Sequence, residues 1–398
     1  MLRIKLLIAL MFSAGFVATD IYLPSLPAIT KSLHTTVQMS QLSITFFLLS
    51  YAISQFFGGV LSDKYGRKPI GIVGLLIFIP STLLPMFAHS IDMLLLGRFL
   101  QGLGIGALPT LGRAIARDSV DGPKLAQVLS FSAMFTFIVP AVAPVIGGVV
   151  QTYFGFRYNF LVMLLSAIVV LVVWQLTYRE TNKNKSHHAA RPKVILKNLG
   201  KLFSCRIYLF NAITAGLSFA VVIAYSTVNP FLLENVLHYS PSVYGWMMLI
   251  VASGLILGFL ANGRLVNFFK GESIILAGMT LLFMASLALI ATALLHHLSA
   301  VIVVASSFLG AFGASLVGPN AAANALSTHP EIAGTAGATF GLFQVMLSTI
   351  VTFIISGFHA STQMPLGLMF LGLVLAMTVL RILLALPAQQ STPSLQAG

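Results

Sequence analysis

Apolar residues gather in twelve runs of about twenty, separated by short polar or Gly/Pro-rich breaks, at approximately 6–28, 41–61, 70–88, 93–112, 125–149, 158–178, 207–230, 244–262, 273–295, 300–320, 334–357 and 365–385. A helix of about twenty residues spans the hydrocarbon core of a bilayer and satisfies its own backbone polar groups there. The pattern therefore predicts an all-α membrane protein of twelve transmembrane helices. The first run follows Arg3 and Lys5 and passes through Ser13, Ala14 and Gly15, much as a secretory leader would. Because it continues to about Ala28 and the same pattern recurs downstream, an uncleaved first helix is expected.

Composition agrees with this. Of 398 residues, 58% are hydrophobic and 8% charged, with a mean hydropathy of +0.96. Soluble domains carry roughly 25% charged residues, so most of this surface must face lipid. The net charge of +13 raises the question of a nucleic-acid partner. That reading fails, because the basic residues are scattered through short loops. With the N-terminus cytoplasmic, nineteen of the 22 fall in inner segments and only Lys31 and Arg157 in outer ones. Arg98 lies within a run. This asymmetry predicts both termini inside, and a bacterial inner (plasma) membrane is the expected location.

One long hydrophilic connection, 179–206, has six runs on either side. The predicted organisation is an N-terminal six-helix bundle at 1–178, a basic cytoplasmic loop at 179–206 lying at the anionic inner surface, a C-terminal bundle at 207–386 and a cytoplasmic tail at 387–398. The halves read as a worn duplication. Arg98-Phe99-Leu100 with Gly104 aligns with Ser307-Phe308-Leu309 and Gly313 at an offset of 209. Gly59-x-Leu61-x-Asp63 aligns with Gly263-x-Leu265-x-Asn267 at 204. Two repeated bundles with a site between them is a common transporter plan.

Three motifs carry chemistry. The loop after the second run reads Gly59-Val-Leu-Ser-Asp63-Lys-Tyr-Gly66-Arg67-Lys68. It matches G-x-L-x-D-[RK]-x-G-R-[RK] of the major facilitator superfamily at every defined position, and the chain resembles that superfamily in this loop. Gly66 permits an unusual backbone angle. Asp63 can meet the N-terminus of the eleventh helix, near Gly334. Arg67 can pair with Asp118. These residues form a candidate latch between the halves when the cavity faces outward. In the fourth run, Arg98-Phe-Leu-Gln101-Gly102-Leu-Gly104-Ile-Gly106 resembles the superfamily's R-x-x-Q-G motif; no strand precedes it, so its glycines fit helix packing and not a dinucleotide. In the fifth, Ala143-Pro144-Val-Ile-Gly147-Gly148 resembles the antiporter motif G-P-x-x-G-G with Ala in first place. Helix packing explains those residues about as well.

Of the nine acids, Asp20 alone lies well inside a predicted span. Counting about 1.5 Å per residue puts it roughly 12 Å below the outer end of the first helix and Arg98 roughly 8 Å below that of the fourth. A downward-leaning arginine would bridge the difference. Burial disfavours the charged carboxylate and a guanidinium favours it; a group balanced between the two can exchange a proton as the cavity opens to each side. Pro24 also leaves the Asp20 carbonyl without its helical donor. Two other arrangements fit the same residues: a permanent structural Asp20–Arg98 pair, or Arg98 extending outward with Asp20 merely hydrated.

Thr19-Asp20-Ile-Tyr22-Leu-Pro24-Ser-Leu-Pro27 resembles the T-D-M-Y-L-P-x-L-P of the bicyclomycin- and chloramphenicol-resistance (Bcr/CflA) exporters, and Arg113-Ala-Ile-Ala-Arg117-Asp118 their R-A-x-x-R-D loop. Asn229-Pro230-Phe231, Tyr239-Ser-Pro241 with Gly245, and Gly318-Pro319-Asn320 are similar to that family as well. The resemblance implies the major facilitator fold and drug:proton antiport by alternating access, with Asp20 as the proton-linked acid. The partners expected are protons, small molecules and lipid around a monomer. It names no substrate. A dedicated exporter of an endogenous product such as a siderophore, and an uptake symporter, remain open; a sensor would need a signalling domain.

Polar or aromatic positions within the runs give candidate cavity residues: Tyr22, Tyr51, Gln55, Phe131, Phe135, Tyr225, Asn229, Asn320 and Gln344. A wide apolar cavity with few hydrogen-bonding groups suits varied amphipathic compounds. Nine histidines, mostly in loops, form no metal-ligand spacing, and Cys205 is alone. No G-x-x-x-x-G-K-[ST] segment is present, so ATP is not expected, and no serine has the setting of a hydrolase. No enzyme activity, metal or cofactor is expected; the energy source would be the proton gradient.

Overall fold

A computed structural model describes residues 2–120, 122–178, 180–181, 192–329, 332–358 and 361–385. Among these, regular structure is helical throughout. Spans one to four are Lys5–Ser32, Val37–Tyr65, Arg67–Met86 and Ile91–Ser119; span six is Phe156–Thr177. Spans seven to twelve are Arg206–Val236, Pro241–Leu265, Gly271–Leu294, Ala300–Leu326, Gly334–Ser356 and Met364–Leu384. Span five lies in the helix Gly122–Tyr153. The helices outrun the apolar stretches, most clearly at Val37–Tyr65 and Ile91–Ser119. Hydropathy marks the part in lipid, whereas the hydrogen-bonded backbone continues until something caps it. Spans two, four, eight and ten begin with such a cap: the side chains of Thr36, Ser90, Ser240 and Ser299 accept from Met39, Met93, Val243 and Ile302 N–H.

Those caps fall at corresponding places in the two halves, and the packing repeats with them. A Cβ on Gly74 of span three would lie 2.4 Å from the Gly104 carbonyl oxygen, and one on Gly104 would lie 2.7 Å from that of Gly74. Gly278 of span nine and Gly313 of span ten face each other in the same way, at 2.6 Å in both directions. The two pairs are related by the offsets of 204 and 209 that the motifs show. The absence of side chains is what lets these backbones meet.

One buried cluster runs from Leu7 to Tyr178 and a second from Ala215 to Met377, with Ile223, Phe231 and Val345 joining the first. The halves meet where span five packs on span eight and span two on span eleven. Apolar side chains such as Leu176, Val301 and Phe353 cover the outside. A helix at Pro192–Ser204 packs against spans seven and eleven, with Leu202 buried and Lys197 and Lys201 exposed. The rest of the long connection (179, 182–191), with His187 and His188, and also Glu331, His359 and the tail 387–398 lie outside the described residues.

Candidate substrate cavity and coupling site

Between the halves lies a cavity of about 410 Å³, lined by both. At the end remote from the 59–68 loop the halves are joined directly. Ser242 donates from its hydroxyl to Thr152 Oγ1 at 2.8 Å, and Gln41 donates to the Thr227 carbonyl at 3.2 Å. Thr45 and Thr352 are linked at 3.0 Å. Span five reaches span eight because Gly148 has no side chain: a Cβ there would stand 2.2 Å from the Pro241 carbonyl oxygen. Toward the other end, the lining continues through Phe12, Arg113, Phe259 and Ala322. The cavity is thus closed on one side and extends toward the side that bears the 59–68 loop.

Span one is broken at this site. Its α-helix stops at Asp20, a 3-10 turn covers Leu23–Ser25, and a short helix resumes at Leu26–Ser32. Pro24, which cannot donate, explains the break. Gly147 fits against it: a Cβ would lie 1.8 Å from the Ile21 carbonyl oxygen. Span seven is irregular in the same region, changing after Pro230 to a π-helical turn at Phe231–Val236. Asp20 is largely buried and lines the cavity. Tyr225 and Tyr244 share that lining.

The expected Asp20–Arg98 bridge is not formed. Arg98 is fully buried, its guanidinium carbon 4.2 Å from the centre of the Tyr22 ring and 4.1 Å from that of Phe47. It donates to the Ala18 carbonyl at 3.0 Å and to Gln101 Oε1 at 2.7 Å. Equal depth in the membrane does not bring two side chains together unless their helix faces also meet. At 3.6 residues per turn, two positions are about 200° of rotation, so Asp20 points away from the face that presents Ala18 to Arg98. Among the described residues, no hydrogen bond or ion pair to the Asp20 carboxylate is found. The second half holds a neutral counterpart: Asn229 donates to Ser307 Oγ at 3.0 Å, at the repeat position of Arg98.

In the 59–68 loop, Arg67 donates through Nε to Asp118 at 3.0 Å and pairs with Asp63. Glu180, which sequence reasoning passed over, caps span three: its carboxylate accepts from the N–H groups of Arg67 at 3.2 Å and Lys68 at 2.9 Å. Gly66 sits at φ 109°, which favours glycine, and a Cβ there would also strike Glu180. Lys68 Nζ donates to the Tyr178 carbonyl. These contacts lie within the first half and the start of the connection that follows it. Glu180 was illegible in advance because the connection that carries it has no periodic pattern.

Of the candidate cavity residues, Tyr51, Gln55, Tyr225 and Gln344 line the space. Five do not. Tyr22 stacks on Arg98 and meets Ser43, Asn229 is held by Ser307, and Asn320 donates to Asn262 at 2.6 Å. Phe131 and Phe135 pack on each other, 5.4 Å apart. Tyr22, Asn229 and Asn320 are thus taken up by other side chains, as the absence of water demands. Pro144 does line the cavity, whereas Gly147 and Gly148 form its supports. Two charged residues went unrecognised. Arg113 lines the cavity. Glu234 falls inside span seven, which runs past its predicted end at 230; its Oε1 is buried without a hydrogen-bond partner among the described residues. Among those residues, no group of three or more His, Cys, Asp or Glu is placed to hold a metal ion.

Residues 7–356 match the model of the family described as Major Facilitator Superfamily. The chain is 28% identical over 380 residues to "Multidrug resistance protein MdtL" of Shewanella sp. (strain ANA-3), covering 94% of this chain and 93% of that protein. It is 27% identical over 378 residues to an "Uncharacterized transporter" of Rickettsia bellii (strain RML369-C), covering 91% and 92%. Among solved structures, the xylose transporter XylE from E. coli, in a partially occluded inward open conformation, superposes with a TM-score of 0.72 at 12% identity over 95% of this chain and 97% of that one. At that identity the likeness concerns the fold.

Proposed function

Since the chain belongs to the Major Facilitator Superfamily, and is therefore a multi-pass membrane transporter and not an enzyme, we propose that it exports small amphipathic molecules from a bacterial cell in exchange for protons. The observation that carries this reading is Asp20: a mostly buried carboxyl at a helix break, facing the cavity, with no cationic partner among the described residues. An ionised carboxylate in a poorly solvated site needs a positive or donating group beside it. A substrate can supply one from the cell side; a proton can replace it from the other. Mutually exclusive occupation of one group by substrate and proton is what antiport requires. The multidrug name of the relative at 28% identity supports a drug-type substrate, as do the apolar walls.

In this scheme the two six-helix halves rock about the cavity, with both termini cytoplasmic and the protein in the inner membrane as a monomer. Closure at the Thr152–Ser242 contact then corresponds to the state open toward the cytoplasm. The 59–68 loop, with Asp63, Arg67 and Asp118, acts as the latch of the opposite state. Gly147 and Gly148 let span five seat against both partners, in keeping with the antiporter motif. Arg98 acts by holding the Ala18 carbonyl, and with it the break at Asp20. The likeness to the Bcr/CflA exporters belongs to the same reading.

The test uses a compound found in an export screen of a deletion strain, followed in everted vesicles with an imposed pH gradient. Asp20→Asn is expected to insert normally and to lose gradient-driven accumulation and substrate-dependent proton movement. Full gradient-driven transport by that variant would reject the scheme.

A further inference from the structure

Among the described residues, two charged side chains line the cavity, and they stand at different depths: Asp20, and Arg113 toward the end bearing the 59–68 loop. Arg113 is exposed within it. It stands 5.8 Å from the centre of the Phe12 ring and donates to Thr110 Oγ1 at 3.3 Å. None of the ion pairs among the described residues involves it. Arg117, one turn further along the same helix, adds a second positive charge. Phe12 and Asp20 lie on one helix, eight residues and about 12 Å of helix rise apart, so Arg113, beside Phe12, stands about two turns along the cavity from Asp20. The wall between them includes Phe16, Phe219 and Val222.

An arginine at a membrane-facing helix end commonly extends to the aqueous surface, with no ligand involved. Arg113 differs in where it points: it shares the cavity wall with Gly15, Tyr51 and Gln55 and does not lie on the lipid face. A guanidinium fork with no carboxylate partner among the described residues, against an apolar wall, is a receptor for a planar anion.

We propose that Arg113 is an anion subsite and that the preferred substrates are dipolar amphiphiles, with a carboxylate-type anion at Arg113, an apolar body along the wall and an ammonium group at Asp20. This rests on the export reading for the role of Asp20. A purely cationic compound meets Arg113 unpaired, and a purely anionic one meets the ionised Asp20. A dipolar compound satisfies both. Protonation of Asp20 then leaves the cavity net positive and weakens its hold on the ammonium end.

The experiment measures equilibrium binding to the full chain in lipid nanodiscs, with no gradient, using three rigid biphenyl probes. These are 4′-(aminomethyl)biphenyl-4-carboxylate, its methyl ester (cation only) and its N-acetyl derivative (anion only). The zwitterion is expected to bind about tenfold tighter than the ester, the scale of one charge-assisted hydrogen-bonded contact. Arg113→Gln should bring that ratio to about one, and Arg113→Lys should restore part of it. Equal binding of zwitterion and ester to the native chain, or a ratio that survives Arg113→Gln, overturns the subsite. Size-exclusion profiles and the Lys variant guard against simple misfolding. Because no gradient is present, the two readings fail separately. An Arg113-dependent preference without export in cells refutes the export scheme alone; export without the preference refutes the subsite alone.

Discussion

Gly148→Ala tests the conformational reading most directly, because the clash it creates lies wholly between the halves. The added Cβ would stand 2.2 Å from the Pro241 carbonyl oxygen, 2.9 Å from its carbon and 3.2 Å from Ser242 Cα, all on span eight. Ordinary carbon contacts are about 3.5 Å or longer, so the helices must part by about 1 Å. That movement also loosens the 2.8 Å Ser242–Thr152 bond. Forcing one methyl into a tight interface costs about 1–3 kcal/mol. If the state open on this side escapes the clash, about 2 kcal/mol shifts the equilibrium roughly 30-fold toward it. Labelling can read the shift. In a Cys205→Ser/Ser226→Cys background, the single thiol lies on the cavity wall. Its modification by a membrane-impermeant maleimide, added from the side of the Thr152–Ser242 contact, should accelerate about 30-fold on adding Gly148→Ala, up to saturation. Gly147→Ala is the control. Its Cβ would strike the Ile21 carbonyl at 1.8 Å, within the same half, and so should lower the melting midpoint with little gain in labelling. Unchanged labelling in Gly148→Ala, or equal gains in both variants, would refute the reasoning.

Two further outcomes follow from the same contacts. Glu180→Gln removes the negative charge from the N-terminus of span three, where it accepts from the Arg67 and Lys68 N–H groups; a loss of about 1 kcal/mol is expected as a lower melting midpoint in detergent, and no change would argue against the cap. Arg98→Lys takes the flat guanidinium from between Tyr22 and Phe47 and one of its reaches to Ala18 or Gln101. About 2 kcal/mol of stability should be lost, and a midpoint equal to that of the native chain would show that the stacking contributes little.

The twelve crossings, the repeat and the local chemistry of the 59–68 loop were legible in the amino-acid order. Each depends on neighbours along the chain: a run of apolar residues long enough for a bilayer, a proline at position 24 that must break a helix, and Arg67 a single turn from Asp63. What the order of residues could not supply was direction around each helix. In lipid the spans are apolar on all sides, so no polar face reveals where a neighbour lies. Depth alone made Arg98 a partner of Asp20; the packing of spans one, two and four turns it instead between Tyr22 and Phe47. The same contacts decided that Asn229 and Asn320 satisfy other side chains, that Arg113 faces the cavity, and that the Thr152–Ser242 end is the one held shut. Those are relations between distant segments, and only their assembly in three dimensions determines them.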